Sequence, residues 1–409
     1  MARHGDAGCE MMNLTMEKLN RRKFIQAAVV APAAAQTWWS KVGEESKRRL
    51  LLVGTQTETD PTTPGARKSQ GIYAYHWDPE KGELQAAGLA AASDNPTFLA
   101  LHPSGKFLYA ANELEHFEGQ NSGAVSAFEI DHAGAKLRAI NQVAAQGTGT
   151  CHVSIDHIGR AAFCANYTGG SATSFYLNPN GQISDAVSHF QYQGHGPNKE
   201  RQEQPHAHRV TPTPGDKFLL VNDLGLDCIH IYHLNDQNAH LTPGDPAQWN
   251  AEPGSGPRAL QFHPNGRIAY CVCEMASTVV VLHWDAAKGT LHTVQSISLI
   301  EEGYHGENTG DDIVIDRKGR FAYAADRFYD HLSAFSIDPK DGKLTLLGRT
   351  PCGGKTPRHL TLDPTERWLL VANQESDNIA VFPIDAATGK VGEQAKNFVL
   401  GRPQCLVFA

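Results

Sequence analysis

Six times between residues 98 and 374 the chain repeats one phrase: an apolar stretch, a tight turn, a Lys or Arg, then a second apolar stretch rich in aromatics. The copies read FLALHPSGKFLYAANE from Phe98, HVSIDHIGRAAFCANY from His152, RVTPTPGDKFLLVNDL from Arg209, ALQFHPNGRIAYCVCE from Ala259, DIVIDRKGRFAYAADR from Asp312 and HLTLDPTERWLLVANQ from His359. Aligned on Gly105, Gly159, Asp216, Gly266, Gly319 and Glu366, they lie 54, 57, 50, 53 and 47 residues apart. Each phrase is two strands joined by a turn, and alternating segments such as Val125-Ser-Ala-Phe-Glu-Ile130 and Leu332-Ser-Ala-Phe-Ser-Ile337 add a third. An outer fourth strand completes a period of this length. Four-stranded units that repeat radially bury their edges as propeller blades. Two half-units remain, Leu50 to Thr55 and Gln404 to Phe408, each reading as one strand of a seventh phrase. The reading is an all-β, seven-bladed β-propeller over residues 48–409, closed by pairing of the N- and C-terminal strands. An open solenoid would need polar capping repeats, and here an apolar strand runs almost to the last residue.

Composition narrows the partners. The 409 residues carry 44 acidic against 36 basic side chains, a formal charge of -8, which excludes the basic footprint of a nucleic-acid binder. Eight cysteines show no disulfide-framework spacing, and Cys271 and Cys273, two apart in an apolar run, read as core packing. Residues 1–40 are set apart. Asn20-Arg21-Arg22-Lys23-Phe24-Ile25 followed by an Ala-rich apolar run resembles a twin-arginine export signal with cleavage after about Ala35. That run is too short for a bilayer, which needs roughly 20 apolar residues, so no stable membrane insertion is expected. The expected location is periplasmic or secreted, with transient engagement of the twin-arginine machinery, and the expected state is a monomer.

In each phrase the residue eight before the turn and the residue eight after it fall at the same end of a blade. The first set is Thr97, Cys151, His208, Arg258, Asp311 and Arg358; the second is Glu113, Tyr167, Leu224, Glu274, Arg327 and Gln374. Around a closed ring these positions converge on one mouth of the central channel. Arg258 and Glu274 are expected to be neighbours across one hairpin, with Arg327 on the next blade and His208 on the previous one, a cluster able to hold an anion. Glu113 and Arg358 join it as substrate-binding candidates. His206, two residues before His208, is expected to face the same way and is a further candidate. No third ligand stands at a telling spacing, so no metal and no cofactor are expected. The acidic stretch 301–308 is expected to be a loop.

Four pieces of the chain carry a resemblance: RQEQPHAH from Arg201 to His208, DLGLD from Asp223 to Asp227, Gly256-Pro257-Arg258, and CANYTGGS from Cys164 to Ser171. Together they resemble the seven-bladed lactonase family, which includes propeller-type 6-phosphogluconolactonases and fungal carboxymuconate cyclase, from about Leu50 to the C-terminus. The resemblance implies His208, Arg258, Glu274 and Arg327 as catalytic residues, and no metal. The chain departs from the family pattern at Ala259, where His is frequent, at Arg209, where Ser is frequent, and at Val314, again a frequent His.

Opening a lactone requires water, a base and a donor for the developing oxyanion. Glu274 or His208 is expected to activate the water, Arg258 to stabilise the oxyanion, and Arg327 to orient a phosphate or carboxylate. Beside Arg258, Glu274 should be a weak base. The expected function is hydrolysis of a sugar lactone, a small molecule, anionic or neutral. The alternatives are a carboxymuconate-type cycloisomerase, which closes a lactone, and a non-catalytic binding propeller. Against the latter, most tryptophans fall in strands or near the export signal rather than on loops. No Gly-x-Ser-x-Gly elbow is present, so a serine-hydrolase mechanism has no basis.

Overall fold

The computed structural model describes residues 49–57 and 69–409. The segment read as an export signal lies outside them.

Seven four-stranded antiparallel sheets follow one another along the chain. Blade 1 takes three strands from the N-terminus, Arg49–Thr55, Gly71–Asp78 and Glu83–Ala92, and its innermost strand, Pro403–Phe408, from the C-terminus. Blades 2 to 7 span residues 96–144, 150–191, 207–250, 257–298, 309–351 and 357–399, each running from its innermost strand outwards. The closing strands pair antiparallel, with Leu51 opposite Phe408 and Val53 opposite Leu406. Each innermost strand touches those of its two neighbours, and Pro403–Phe408 packs on both Pro96–Leu101 and Pro357–Leu362, so the ring is complete. Closure leaves no innermost edge exposed.

The local reason for each hairpin is legible. All six turn positions used for alignment lie in the left-handed region: Gly105, Gly159, Gly266 and Gly319 at φ of 69, 73, 69 and 66°, with Asp216 and Glu366 at 51 and 58°. Four of the six are glycine, the residue that enters this region without a side-chain clash. Inner strands are buried on both faces, as in Phe218–Asp223 and Ile268–Cys273, because blades stack on each other there. Outer strands such as Lys136–Ala144 are exposed or half-buried at all but one position.

Polar atoms tie neighbouring blades together. Buried Tyr109 and Tyr270 donate their hydroxyls to the outer-turn carbonyls of Gly181 (3.0 Å) and Gly342 (2.9 Å) on the next blade. His102 and His263 stand 3.0 and 2.9 Å from the turn carbonyls of Gly159 and Gly319 on the next blade, a packing role. Cys271 and Cys273 lie in the core, and all seven described cysteines are free and buried.

Candidate active site at the channel mouth

A slip of register near the start of every innermost strand builds the site. In blade 2, Pro96 pairs with Asn112 and Phe98 with Ala111, leaving Thr97 as the extra residue of a β-bulge. The same slip singles out Cys151, His208, Arg258, Arg358 and Gln404, and in blade 6 Asp311 and Asp312 share one opposing residue. A bulge re-aims the side chain it frees. Seven bulges at one level therefore set a ring of side chains at one end of the channel. Six of these positions are those read from the repeat, and Gln404 is the contribution of the closing strand.

The loops leading into the bulges are fixed by buried carboxylates. Asp227 accepts the Gly254 and Gly256 N–H groups at 2.6 and 2.8 Å, holding the turn that delivers Pro257-Arg258. Gly256 has φ of 66°, and a β-carbon there would meet Met275 at 3.0 Å. Asp223 accepts the N–H groups of His206 (2.9 Å) and Leu226 (3.0 Å). Those motif residues thus act as scaffold for the ring.

Ion pairs knit the ring together. Arg258 Nε lies 3.0 Å from Glu274 Oε2 and its Nη1 2.9 Å from Asp311 Oδ1. Arg327 bridges the same two carboxylates, Nη2 to Glu274 Oε2 at 2.8 Å and Nε to Asp311 Oδ2 at 2.8 Å. The two Nε atoms are close to the carboxylates but off the hydrogen-bond direction, so these contacts are mainly coulombic. Arg358 donates to Gln404 at 3.1 Å and stands 3.9 Å from Asp311. Arg201, from the loop between blades 3 and 4, reaches Glu274 Oε1 at 2.5 Å and the Tyr167 hydroxyl at 3.4 Å. Four guanidiniums thus surround two buried carboxylates, and half-buried Glu113 on blade 2 leaves one positive charge in surplus. The mouth suits an anion.

At the ring, a cavity of about 20 Å³, enough for one water, is lined by His208, Arg258, Arg358, Glu113, Thr97 and Gln404, with Arg209 and Asp312 among the rest. Burial, then Arg258, Arg358 and Arg327, push the His208 imidazole well below its usual pKa, so the ring is neutral at neutral pH. Glu274 is buried too, but Arg327, Arg258 and Arg201 outweigh that and hold its carboxyl at about 2. Asp311 goes the other way: burial raises its pKa against the pull of Arg258, Arg327 and Arg358.

His206 is placed differently from the expectation. The innermost strand of blade 4 begins at Ala207, and the bulge at His208 breaks the alternation that would have put both histidines on one face. His206 instead stacks on Tyr167, centroids 4.5 Å apart, with Nε2 3.3 Å from Glu203, and does not line the cavity. The Tyr167 ring in turn meets His208 edge-on at 5.7 Å. Arg201 was not among the expected site residues, because it sits on an inter-blade loop outside the repeat register. The RQEQPHAH motif was the only signal for it.

The departures also find a place. Arg209 pairs with Asp312, 2.9 Å away, and lies 5.8 Å from the Phe98 ring. Val314 packs between blades 6 and 7, away from the cavity. The 301–308 segment is a loop between blades 5 and 6, its approach held by Arg349 on the carbonyls of Ser298, Leu299 and Ile300.

Fold and site together define a closed seven-bladed β-propeller with a buried, arginine-rich polar centre at one channel mouth. The chain belongs to the lactonase family of 7-bladed β-propellers, whose model matches residues 50–408. It is 32% identical over 340 residues to the 6-phosphogluconolactonase of Bacillus subtilis, covering 83% of this chain and 95% of that one. Identity to the 6-phosphogluconolactonase of Formosa agariphila is 32% over 355 residues, 86% of this chain and 96% of that one. Among solved structures, the periplasmic gluconolactonase of Pseudomonas aeruginosa superposes with a TM-score of 0.81 at 30% identity, covering 88% of this chain and 99% of that one.

Proposed function

We propose that the protein hydrolyses a sugar lactone at the channel mouth. His208 carries the reading. It lines the cavity, its ring is neutral, and among the described residues no group hydrogen-bonds its ring nitrogens, which leaves them for water. His208 takes a proton from that water as it attacks the lactone carbonyl. The C–O bond to the ring oxygen then breaks, the imidazolium returns the proton to the leaving alkoxide, and an aldonic acid is released. The Arg258 guanidinium, packed against the cavity, faces the oxyanion that forms on the carbonyl oxygen. Glu274 is not the base, because three arginines hold it ionised and weakly basic. It fixes Arg258 and Arg327 in place. The names of the relatives, 6-phosphogluconolactonase and gluconolactonase, agree with this chemistry.

Export belongs to the same proposal: Arg21-Arg22 and the Ala-rich run direct the propeller out of the cytoplasm. The test is lactone opening by the chain from about residue 36 onwards, with glucono-δ-lactone and 6-phosphoglucono-δ-lactone measured against their spontaneous rates. Acceleration of one or both is expected; acceleration of neither overturns the proposal.

A further inference from the structure

The four arginines of the mouth are not equally committed. Arg258 is 5% exposed and lies between Glu274 and Asp311, so withdrawing it would strand buried charge, which is costly. Arg327, 12% exposed, bridges the same two carboxylates. Arg201 is 42% exposed and meets Glu274 through one terminal nitrogen, on the oxygen the other two leave free. If Arg201 turns away, Glu274 keeps both remaining partners. An ion pair that is half in solvent is cheap to exchange for another anion.

The base of the Arg201 side chain is nonetheless well placed. The adjacent Gln202 is fully buried, donates to the Leu224 carbonyl at 2.9 Å and accepts the Asn198 N–H at 3.1 Å, so the loop is pinned at the rim. Arg201 also touches the Tyr167 hydroxyl, and the Tyr167 ring lies against His208. A long cationic side chain on a fixed loop thus hangs beside the proposed reacting centre, over a mouth that carries surplus positive charge.

Resting on the lactone-hydrolysis reading, we infer that Arg201 exchanges Glu274 for a charged substituent of the substrate, a phosphate or a carboxylate. Arg201 acts in binding and selects the charged lactone over a neutral one of the same ring. Bidentate contact to such a group suits a guanidinium and not an ammonium.

The experiment compares kcat and KM for 6-phosphoglucono-δ-lactone, glucaro-1,4-lactone and glucono-δ-lactone in the wild-type chain, Arg201→Gln and Arg201→Lys, with melting curves for each. The preference for a charged over the neutral lactone should fall about tenfold or more in Arg201→Gln, through KM and not kcat, and partly recover in Arg201→Lys. Whichever charged lactone shows the KM effect identifies the substituent. An equal loss on charged and neutral lactones, carried by kcat, would make Arg201 only a brace for Glu274 and overturn the inference. So would a wild type that opens the neutral lactone alone. If the wild type opens none of the three, the function reading fails by itself. Calorimetry with 6-phosphogluconate and glucarate then decides about Arg201: tighter binding of either to wild type than to Arg201→Gln supports it, and equal or no binding overturns it.

Discussion

Arg209 on blade 4 pairs with Asp312 on blade 6, Nη1 to Oδ1 at 2.9 Å, across the channel from one blade to the next but one. Both ends are largely buried, and Asp312 Oδ2 is also 3.8 Å from His359 Nε2 and accepts the Leu360 N–H at 3.3 Å. The pair joins three blades and lines the same cavity as His208 and Arg258. Removing one partner leaves a buried charge uncompensated, at a cost of about 3–5 kcal/mol. Arg209→Ala should therefore lower the free energy of denaturant unfolding by that order. Arg209→Met combined with Asp312→Leu should recover most of the loss. A single-variant loss under about 1 kcal/mol would mean that solvent already screens the pair.

His208→Ala should lower kcat for the opened lactone by roughly a hundredfold or more, the usual contribution of a general base. Glu274→Gln should act first on folding, since Arg201, Arg258 and Arg327 lose their shared counter-charge. Unfolding measured beside turnover separates the two. If His208→Ala loses less than tenfold in turnover, the mechanism is wrong.

The pH profile follows from the direction of the His208 shift. The base works when neutral, and its pKa lies well below the ordinary 6.5, so kcat/KM should stay level as pH falls from 8 through 6.5 and drop only in more acidic solution. An acid limb centred at 6.5 or above would assign the base to another group.

Stability should be lost on acidification from pH 7, for a related reason. His152, His208 and His359 are all buried with pKa values pushed down, chiefly by burial. Below about 6.5 the unfolded chain takes up protons that these rings refuse, and each refusal costs up to about 1.4 kcal/mol per pH unit. Asp326, raised by burial to about 6, opposes one of the three between its unfolded pKa of 3.8 and 6, because there the folded state binds the extra proton, and Asp311 and Asp156, also raised by burial, act in the same sense nearer the ordinary carboxylate range. Denaturant midpoints at pH 7, 6 and 5 should fall in turn; a flat series would show that the histidines protonate in the folded state.

Ring closure gives a further expectation. Deleting residues 403–409 removes the innermost strand of blade 1 and uncovers an unpaired edge along Leu51–Thr55. The truncated chain should aggregate or melt without cooperativity, read by soluble yield and circular dichroism. A soluble, cooperatively melting product would mean that six blades hold the ring without the closing strand.

Some of this was written locally. Within each phrase the turn and the two apolar runs lie within a few residues of one another, and the half-phrases stand at the two chain ends, so the roughly 50-residue period dictates seven blades, their closure and the positions that meet at the mouth. Arg258 facing Glu274 across a hairpin is part of that local logic. The sequence also carried the chemistry of the ring, since the repeat itself sets His208, Arg258, Glu274 and Arg327 at equivalent ends. Contacts across the channel are of another kind. That the ring residues are bulged, that His206 turns onto Tyr167, that Arg201 joins from a loop outside the register and that Arg209 meets Asp312 two blades away were decided by the tertiary structure. Period and turn chemistry act along the chain, whereas the partner of a charge buried in a channel depends on which groups the closed ring brings within a few ångströms, and no spacing along the sequence encodes that distance.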